Sequence, residues 1–208
     1  MTEHHDEPVG DAGAHPLLVD LQVAGAGARM VDEAMARCGR IDVLVNNAGI
    51  RCRADFGTFT QAEFDQLIAI NLAAPFFASQ AVIPAMTAQG GGRIIHVASQ
   101  MGSVAAQGNA LYGLSKAALI QLTRAMALEL APRGIMVNAV SPGPIATRFN
   151  LDRFADEPGR QQRIEAKVPA GRLGEPEEVA EAIVFLATCR GAFIHGHDLV
   201  VDGGYVIQ

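Results

Sequence analysis

Apolar residues along the chain follow two periods in turn, and this pattern predicts a succession of strands and helices. Short continuous apolar runs are typical of strands buried on both faces, whereas apolar residues at helical spacing are typical of helices that cover a sheet. The predicted strands span residues 16–21, 41–45, 93–98, 135–140 and 197–201. Because strand and helix alternate throughout, we predict a parallel sheet with helices on both faces.

The predicted helices are marked by their start and stop signals as well as by their period. They cover residues 24–38, a long stretch from 60 to the glycines at 90–92, a stretch from about 112 to 133, and a last stretch from 175. Thr60 and Glu63 have the spacing of a capping box, and Pro75 and Pro84 are expected to bend or divide the long helix. Residues 149–167 are polar and irregular, and we predict a loose helical flap there.

Composition and charge place the chain among globular proteins with a sizeable core. Half of the 208 residues are hydrophobic, 18% are charged, and the formal net charge is −6. No basic run is long enough to indicate nucleic-acid binding, no apolar stretch reaches membrane-spanning length without interruption, and the polar, acidic amino terminus does not resemble a signal peptide. We therefore expect a single domain over residues 1–208, with 1–15 as a loose arm, and neither nucleic acid nor a membrane as partner.

Three cysteines and a histidine pair are the candidate metal ligands in the sequence. Cys38, Cys52 and Cys189 are odd in number and lack ligand spacing, so we predict free thiols in a reducing, cytoplasmic compartment. His195 and His197 could form part of a site, but no further ligand cluster accompanies them in the sequence. We predict no metal site.

Polar or special residues follow three of the predicted strands. Asn46 comes after the strand at 41–45, Ser99 after that at 93–98, and Pro142 closely follows that at 135–140. In a parallel sheet the carboxyl ends of the strands meet at one edge, where ligands bind. We therefore expect these residues to converge on a functional site.

Tyr112 and Lys116 are four residues apart, so on a helix their side chains share one face. A free tyrosine has a pKa of roughly 10 and is a poor acid or base at neutral pH. A nearby ammonium favours the phenolate, so Lys116 is expected to bring the tyrosine's proton exchange closer to pH 7. The same spacing also occurs in many helices as a mere exposed pair.

Several motifs distributed over the chain complete a recognisable pattern. They are Asn46-Asn47-Ala48-Gly49, Asn71, Ser99, Tyr112-x-x-x-Lys116, Pro142-Gly143-x-Ile145-x-Thr147 and Asp202-Gly203-Gly204. Together, over about residues 16–208, they resemble the motifs of the short-chain dehydrogenase/reductase family. The stretch from Gly171 to Glu178 is similar to that of the 3-oxoacyl-carrier-protein reductase and sugar or polyol dehydrogenase members. The resemblance implies a Rossmann-like, doubly wound parallel sheet.

The resemblance also implies catalytic roles for four residues. Tyr112 would be the acid in ketone reduction and the base in alcohol oxidation. Lys116 would lower its pKa and hold the ribose of the nicotinamide, while Ser99 would hold the substrate oxygen. Asn71 would position a water that links Lys116 to solvent. The implied reaction is the interconversion of a secondary alcohol and a ketone by hydride transfer.

The cofactor implied by the resemblance is NAD or NADP, and the sequence does not indicate which. Its adenosine half would be lined by Asn46, Ala48 and Gly49, with Asp20 near the adenine. Its nicotinamide half would be held by Tyr112, Lys116, Pro142, Gly143, Ile145 and Thr147. Family members commonly form dimers and tetramers through their two long helices, so a homo-oligomer is expected.

One part of the family pattern has no counterpart in this sequence. The family begins with a strand, a turn of the type Gly-x-x-x-Gly-x-Gly, a helix and a second strand, and nothing of this kind precedes residue 16. We therefore expect a Rossmann-like sheet that is N-terminally truncated, without the first strand, glycine turn and second strand. Two hypotheses remain open: an oxidoreductase of this family, and a catalytically impaired remnant that serves only as an oligomerisation partner.

Overall fold

Four parallel strands form the centre of the molecule. The structure, a computed structural model, describes residues 13–155 and 157–208, so most of the predicted loose arm at 1–15 lies outside the described residues. The strands are β1 (Val43–Asn46), β2 (Gly92–Val97), β3 (Ile135–Pro142) and β4 (Asp198–Val201). They pair in the order β1-β2-β3-β4, all parallel. The predicted parallel α/β architecture is confirmed.

The register of the strands brings their carboxyl ends to one edge. Asn46 of β1 is level with His96 of β2, Val97 with Val140, and Pro142 with Val201. The loops that follow β1, β2 and β3 therefore leave the sheet side by side, as the sequence predicts.

Helices cover both faces of this sheet. The helices of eight or more residues are α1 (Ala26–Cys38), α2 (Gln61–Ile68), α3 (Ala74–Ala88), α4 (Ala110–Leu130), α5 (Arg148–Ala155) and α7 (Pro176–Thr188), with the short α6 (Arg160–Glu165) between the last two. On one face, side chains of α1, α3 and α4 pack on β1, β2 and β3 in a core that contains Val31, Val82 and Ile94. On the other face, α7 packs on the sheet around Ile95 and Leu186. The alternation of Ile94 and Ile95 between the two faces reflects the period of two along a strand.

The contact between α1 and α3 depends on a residue without a side chain. A Cβ placed on Gly27 would lie 2.3 Å from the carbonyl oxygen of Ala74 and 3.0 Å from the amide nitrogen of Ala78. No side chain tolerates such distances, so glycine permits the two helices to approach closely.

The predicted strand at residues 16–21 is wrong. Residues 14–20 adopt neither strand nor helix, and Leu18 is 92% exposed. A strand requires neighbouring backbone groups for its hydrogen bonds, and none of the described strands pairs with this segment. The apolar run therefore lacks the partner that would make it a strand.

The long predicted helix is divided once. Thr60 and Glu63 form the capping box that opens α2, as predicted. The helix then widens into a π-helical turn at Ala69–Ala73 before α3 begins, with Pro75 in its first turn. Pro84 lies inside α3 without ending it.

Gln61–Ala88 is also long and apolar enough to cross a membrane by length and composition. Its buried residues Ala78, Val82 and Met86, however, pack against the sheet in the core. A core helix of a soluble protein has the same composition as a membrane-spanning segment, so this property is weak evidence for a membrane.

Candidate active site

Ser99 opens a tight turn directly after β2. It begins the 3-10 turn Gln100–Gly102, and its Oγ accepts a hydrogen bond from the amide of Met101 at 3.2 Å. Gly102 allows this turn to lie against α4, since a Cβ there would be 3.0 Å from the amide nitrogen of Ala117. The close approach brings Ser99 to α4, where its hydroxyl acts to lower the pKa of the Tyr112 phenol.

Tyr112 and Lys116 lie one turn apart on the same side of α4. Lys116 is only 3% exposed, and its ammonium donates a hydrogen bond to the carbonyl oxygen of Val97 at 2.8 Å. The same Nζ lies 5.8 Å from the centre of the Tyr112 ring. The end of β2 thus holds the lysine side chain close to the tyrosine ring. The two residues therefore do not form an exposed surface pair.

The electrostatic effect of this environment differs from the sequence expectation. Burial raises the pKa of Tyr112 above its usual value, and the hydrogen bond with Ser99 and the charge of Arg51 only partly oppose this. Burial also lowers the pKa of Lys116 from 10.5 to about 8. The sequence analysis expects Lys116 to lower the pKa of Tyr112, whereas burial has the largest effect on this group and raises its pKa. The phenol is instead held in its protonated form at neutral pH.

Asn71 lies within the π-helical turn and is fully buried. Its Oδ1 accepts from the amide of Ile50 at 2.8 Å, and its Nδ2 donates to the carbonyl oxygen of Ile50 at 2.8 Å and to Ser115 Oγ at 3.1 Å. The widened turn projects this asparagine out of the regular helical register, a device that recurs at functional sites. Asn71 thereby joins the loop after β1 to α4.

Asn46, the last residue of β1, and Gly49, in the loop that follows, have different surroundings. The Asn46 amide nitrogen lies 3.1 Å from Ser79 Oγ and 3.1 Å from His96 Nδ1. Ala48 and Gly49 are exposed, and a Cβ on Gly49 would lie 3.4 Å from both Asn71 Oδ1 and Lys116 Nζ. The absence of a side chain at Gly49 thus keeps a methyl group away from the buried lysine, whereas Asn46 braces the end of β1 against α3 and β2.

The segment after β3 is attached firmly to its neighbours. The amide of Gly143 donates to the carbonyl oxygen of Val201 at 2.9 Å, and Thr147 Oγ1 accepts from the amide of Asn150 at 3.4 Å. Ile145 is buried. A Cβ on Gly143 would lie 2.9 Å from Gln100 Oε1, so the segment that begins at Pro142 adjoins the turn that carries Ser99.

Asp20 differs from the other predicted site residues. It is exposed, and its carboxylate accepts a hydrogen bond from the amide of Gln22 at 2.9 Å within its own turn. Its recorded contacts do not connect it with Tyr112 or Lys116. The predicted position near an adenine stays a prediction.

Arg51 and Asn109 are neighbours of Tyr112 that the sequence analysis missed. The guanidinium carbon of Arg51 lies 5.3 Å from the centre of the Tyr112 ring. Asn109, only 5% exposed, accepts hydrogen bonds from Arg51 Nε at 3.0 Å and from Nη2 at 2.5 Å. Arg51 lies two residues after the Asn-Asn-Ala-Gly turn, which places its backbone near the predicted site. Chain position alone, however, does not show in which direction its side chain points.

The thiols and histidines do not gather around this site. Cys38, Cys52 and Cys189 are free thiols. Within residues 13–155 and 157–208, no three His, Cys, Asp or Glu side chains form a group that could hold a metal ion.

A parallel α/β sheet whose carboxyl edge gathers Ser99, Tyr112, Lys116 and Asn71 fits the class of NAD(P)-dependent oxidoreductases. Residues 2–206 match the family model described as enoyl-(acyl carrier protein) reductase. The chain belongs to the short-chain dehydrogenase/reductase family.

Individual relatives support the same assignment. D-threitol dehydrogenase from Mycolicibacterium smegmatis is 38% identical over 200 residues, which cover 96% of this chain and 76% of the relative. The 2-dehydro-3-deoxy-D-gluconate 5-dehydrogenase of Escherichia coli is 38% identical over 193 residues, covering 92% of this chain and 76% of the enzyme. The crystal structure of a gluconate 5-dehydrogenase from Burkholderia cenocepacia in complex with NADP and tartrate superposes with a TM-score of 0.84 at 35% identity, over 89% of this chain and 72% of that one.

Proposed function

We propose that the chain interconverts a secondary alcohol and a ketone with NAD or NADP, and that Tyr112 is the proton donor and acceptor. The observation that carries the proposal is the position of the buried Lys116, whose Nζ lies 5.8 Å from the centre of the Tyr112 ring, close to the turn that Ser99 opens. The dehydrogenases among its relatives, and the NADP in the related gluconate 5-dehydrogenase structure, support it.

The residues at the carboxyl edge fit the nicotinamide half of such a cofactor. The bare backbone at Gly49 leaves room next to Lys116 Nζ, an ammonium suited to ribose hydroxyls. The segment with Pro142, Gly143, Ile145 and Thr147 supplies backbone groups and a hydroxyl close to the Ser99 turn. Ala48 would contribute to the adenosine side. When bound, a nicotinamide dinucleotide supplies the hydride for reduction or accepts it in oxidation.

The protein's part in this reaction is placement and proton transfer. Ser99 would donate a hydrogen bond to the substrate oxygen and hold it against the phenol. In reduction, the Tyr112 proton would move to the ketone oxygen, and in oxidation the phenolate would accept the proton of the alcohol. The raised pKa of Tyr112 keeps that proton in place until the substrate oxygen gains negative charge. Lys116, with a pKa of about 8, and Asn71 would return protons from solvent.

The decisive experiment is the Tyr112→Phe substitution, which removes the hydroxyl and keeps the ring. We expect the rate of NADH- or NADPH-dependent ketone reduction to fall by about a hundred- to ten-thousand-fold. Titration followed by cofactor fluorescence should still report binding. Tyr205→Phe, at the other tyrosine of the chain, is the matched control and should leave the rate unchanged. Equal rates for Tyr112→Phe and the unmodified protein would refute the assignment.

A second candidate function, an oligomerisation partner, is favoured by exposed apolar side chains on the long helices. Phe76 and Phe77 of α3 are 42% and 46% exposed, and Leu114 and Leu128 of α4 are 55% and 82% exposed. We propose a homo-oligomer, dimer or tetramer, formed through these helices. Light scattering after size-exclusion chromatography should give a molecular mass that is a multiple of the chain mass. Leu128→Lys should lower that measured mass. An oligomer that binds neither NADH nor NADPH would favour this second function over catalysis.

We further propose that residues 1–208 constitute a single domain and that the protein is cytoplasmic. Its oxidoreductase relatives and its free thiols support this location. Its partners are then small-molecule alcohols and ketones.

A further inference from the structure

We propose that Arg51 binds a carboxylate on the substrate, so that the preferred substrates are hydroxy acids and the corresponding keto acids. The reaction in this statement rests on the proposed function. The binding of the carboxylate does not, and it can be tested separately.

The position of Arg51 relative to the reacting group is the first argument. Its guanidinium carbon lies 5.3 Å from the centre of the Tyr112 ring, comparable with the 5.8 Å of Lys116 Nζ. A substrate oxygen at the Tyr112 phenol would therefore place the neighbouring carbons within reach of Arg51. A carboxylate a few bonds from the reacting carbon can meet the guanidinium without moving the chain.

The second argument is that the guanidinium is held in place before any substrate arrives. Its Nε and Nη2 groups donate to Oδ1 of Asn109, which is buried at the start of α4. Asn109 Nδ2 donates in turn to the carbonyl oxygen of Gln107 at 3.0 Å. Ordering a long side chain in advance removes an entropic cost that binding would otherwise incur.

The backbone around Arg51 is fixed as well. The amide of Ala54 donates to the carbonyl oxygen of Gly108 at 3.2 Å, and Arg53 Nη2 donates to that of Gln107 at 3.4 Å. The loop after β1 therefore runs along the loop that leads into α4. The two loops together hold Arg51 beside the tyrosine.

The chemistry of the group selects the ligand. A guanidinium is planar, remains charged at every relevant pH, and matches the two oxygens of a carboxylate. A buried or half-buried arginine gains little from a neutral hydroxyl, whereas hydrogen bonds to charged groups are the stronger ones. An acid should therefore be favoured over its uncharged amide.

A different role for Arg51 makes a different prediction. Its charge also lowers the pKa of Tyr112, against the effect of burial. If this were the whole contribution of Arg51, loss of its charge would slow the turnover of acids and amides equally. It would also shift the pH dependence of the reaction rate. Carboxylate binding instead raises the KM of the acids selectively.

The experiment uses two matched pairs of probes, 3-hydroxybutyrate with its amide and gluconate with its amide. For each pair, kcat/KM is measured with the cofactor, and binding to the chain alone is measured by calorimetry. We expect the unmodified protein to favour the acids. Arg51→Gln should lower both kcat/KM and affinity for the acids by roughly 10- to 100-fold. The same two quantities should change by less than about 3-fold for the amides. Arg51→Lys, which keeps the charge and loses the fork, should give an intermediate loss. Arg133→Gln, at an exposed arginine beyond the C-terminal end of α4, is the matched control and should leave both probes unaffected.

The outcomes separate the two proposals. Equal binding of acid and amide by the unmodified protein, or equal losses for both in Arg51→Gln, overturns the carboxylate site. Arg51-dependent binding of the acids without cofactor binding or turnover leaves the site standing and refutes the oxidoreductase. Circular dichroism of the variants establishes that a loss is not due to unfolding.

Discussion

Buried polar side chains are the residues whose behaviour the sequence least reveals. His96 of β2 is fully buried between strands, its Nδ1 faces the amide of Asn46, and its Nε2 has no hydrogen-bond partner among the described residues. Lys116 is nearly as deeply buried. Both side chains can carry a positive charge, so the free-energy cost of burying them depends on pH.

The first prediction concerns His96 and acid. Burial, assisted by the charge of Lys116, lowers its pKa from 6.5 to about 4. As the pH falls from 6.5 towards 4, His96 becomes protonated in the unfolded chain but stays largely neutral in the folded chain, so the free energy of unfolding decreases. This group alone should cost about 2 kcal/mol between pH 7 and pH 4.5.

Urea unfolding at these two pH values measures the effect. His96→Asn should lose less stability on acidification than the unmodified protein, while the exposed His15→Gln should behave as the unmodified protein does. Identical losses in all three proteins would contradict the prediction.

The second prediction concerns Lys116 and base. Its pKa falls from 10.5 to about 8 on burial, so below pH 8 the folded chain carries the full cost of a buried ammonium. As the pH rises from 8 towards 10.5, the folded chain releases a proton that the unfolded chain retains, and stability increases. Relative to Lys116→Met, the unmodified protein should gain about 2 kcal/mol between pH 7 and pH 10.

The check is the difference in unfolding free energy between the two proteins at both pH values. Lys167→Met, at an exposed lysine, supplies the matched control and should show no such gain. A pH-independent difference between Lys116→Met and the unmodified protein would rule out the shift.

The candidate residues could be predicted largely because they belong to short motifs. Ser99 follows a strand end, and Tyr112 and Lys116 share a helix face, so these relations are local. Asn71 was noticed as an asparagine within a predicted helix. Arg51 could not be predicted in the same way, since its contact with Tyr112 joins the loop after β1 to a helix far along the chain. The raised pKa of Tyr112 was not predicted either. It results from burial, and the spacing of Tyr112 and Lys116 in the sequence does not show how deeply the phenol is buried.

At the scale of the element, helix signals proved more informative than strand signals. The capping box at Thr60 and Glu63 predicted the start of α2 because both partners lie within one turn. The strand at 16–21 failed because a strand needs a second segment for its hydrogen bonds. The sequence indicated an irregularity near Asn71 only through Pro75, which lies in the first turn of α3.

The packing of α1 on α3 leads to a third prediction. Gly27→Ala would place a methyl group 2.3 Å from the carbonyl oxygen of Ala74, so the helices must separate. We expect a loss of about 1–3 kcal/mol in the free energy of unfolding. Gly191→Ala, where a Cβ meets nothing within 4 Å, is the control and should be nearly neutral. Equal stabilities for the two variants would show that α1 does not pack as described.

At the scale of the whole molecule, β1 has an open side. Within the part of the chain that the structure describes, β1 pairs with β2 alone, and Val43 and Val45 are 36% and 39% exposed. Unpaired backbone next to apolar side chains is a template for association with other chains.

The fourth prediction follows from this edge. Val45→Lys should lower the concentration-dependent light scattering of the protein, because a charge on an edge strand opposes pairing with another strand. Val184→Lys on α7, at a side chain that is 56% exposed, adds the same charge away from the edge and should have a smaller effect. Equal reductions by the two variants would attribute the change to net charge rather than to the edge.

The strand order of the sheet has a consequence for synthesis on the ribosome. Each strand pairs with the strand that precedes it in the chain, and each connection passes through at least one helix. A nascent chain can therefore dock every new strand on an edge that has already emerged, without waiting for distant segments. The sheet can grow in the direction of translation, and the polar carboxyl edge is completed last, when β3 and β4 close the segment beside Gly143.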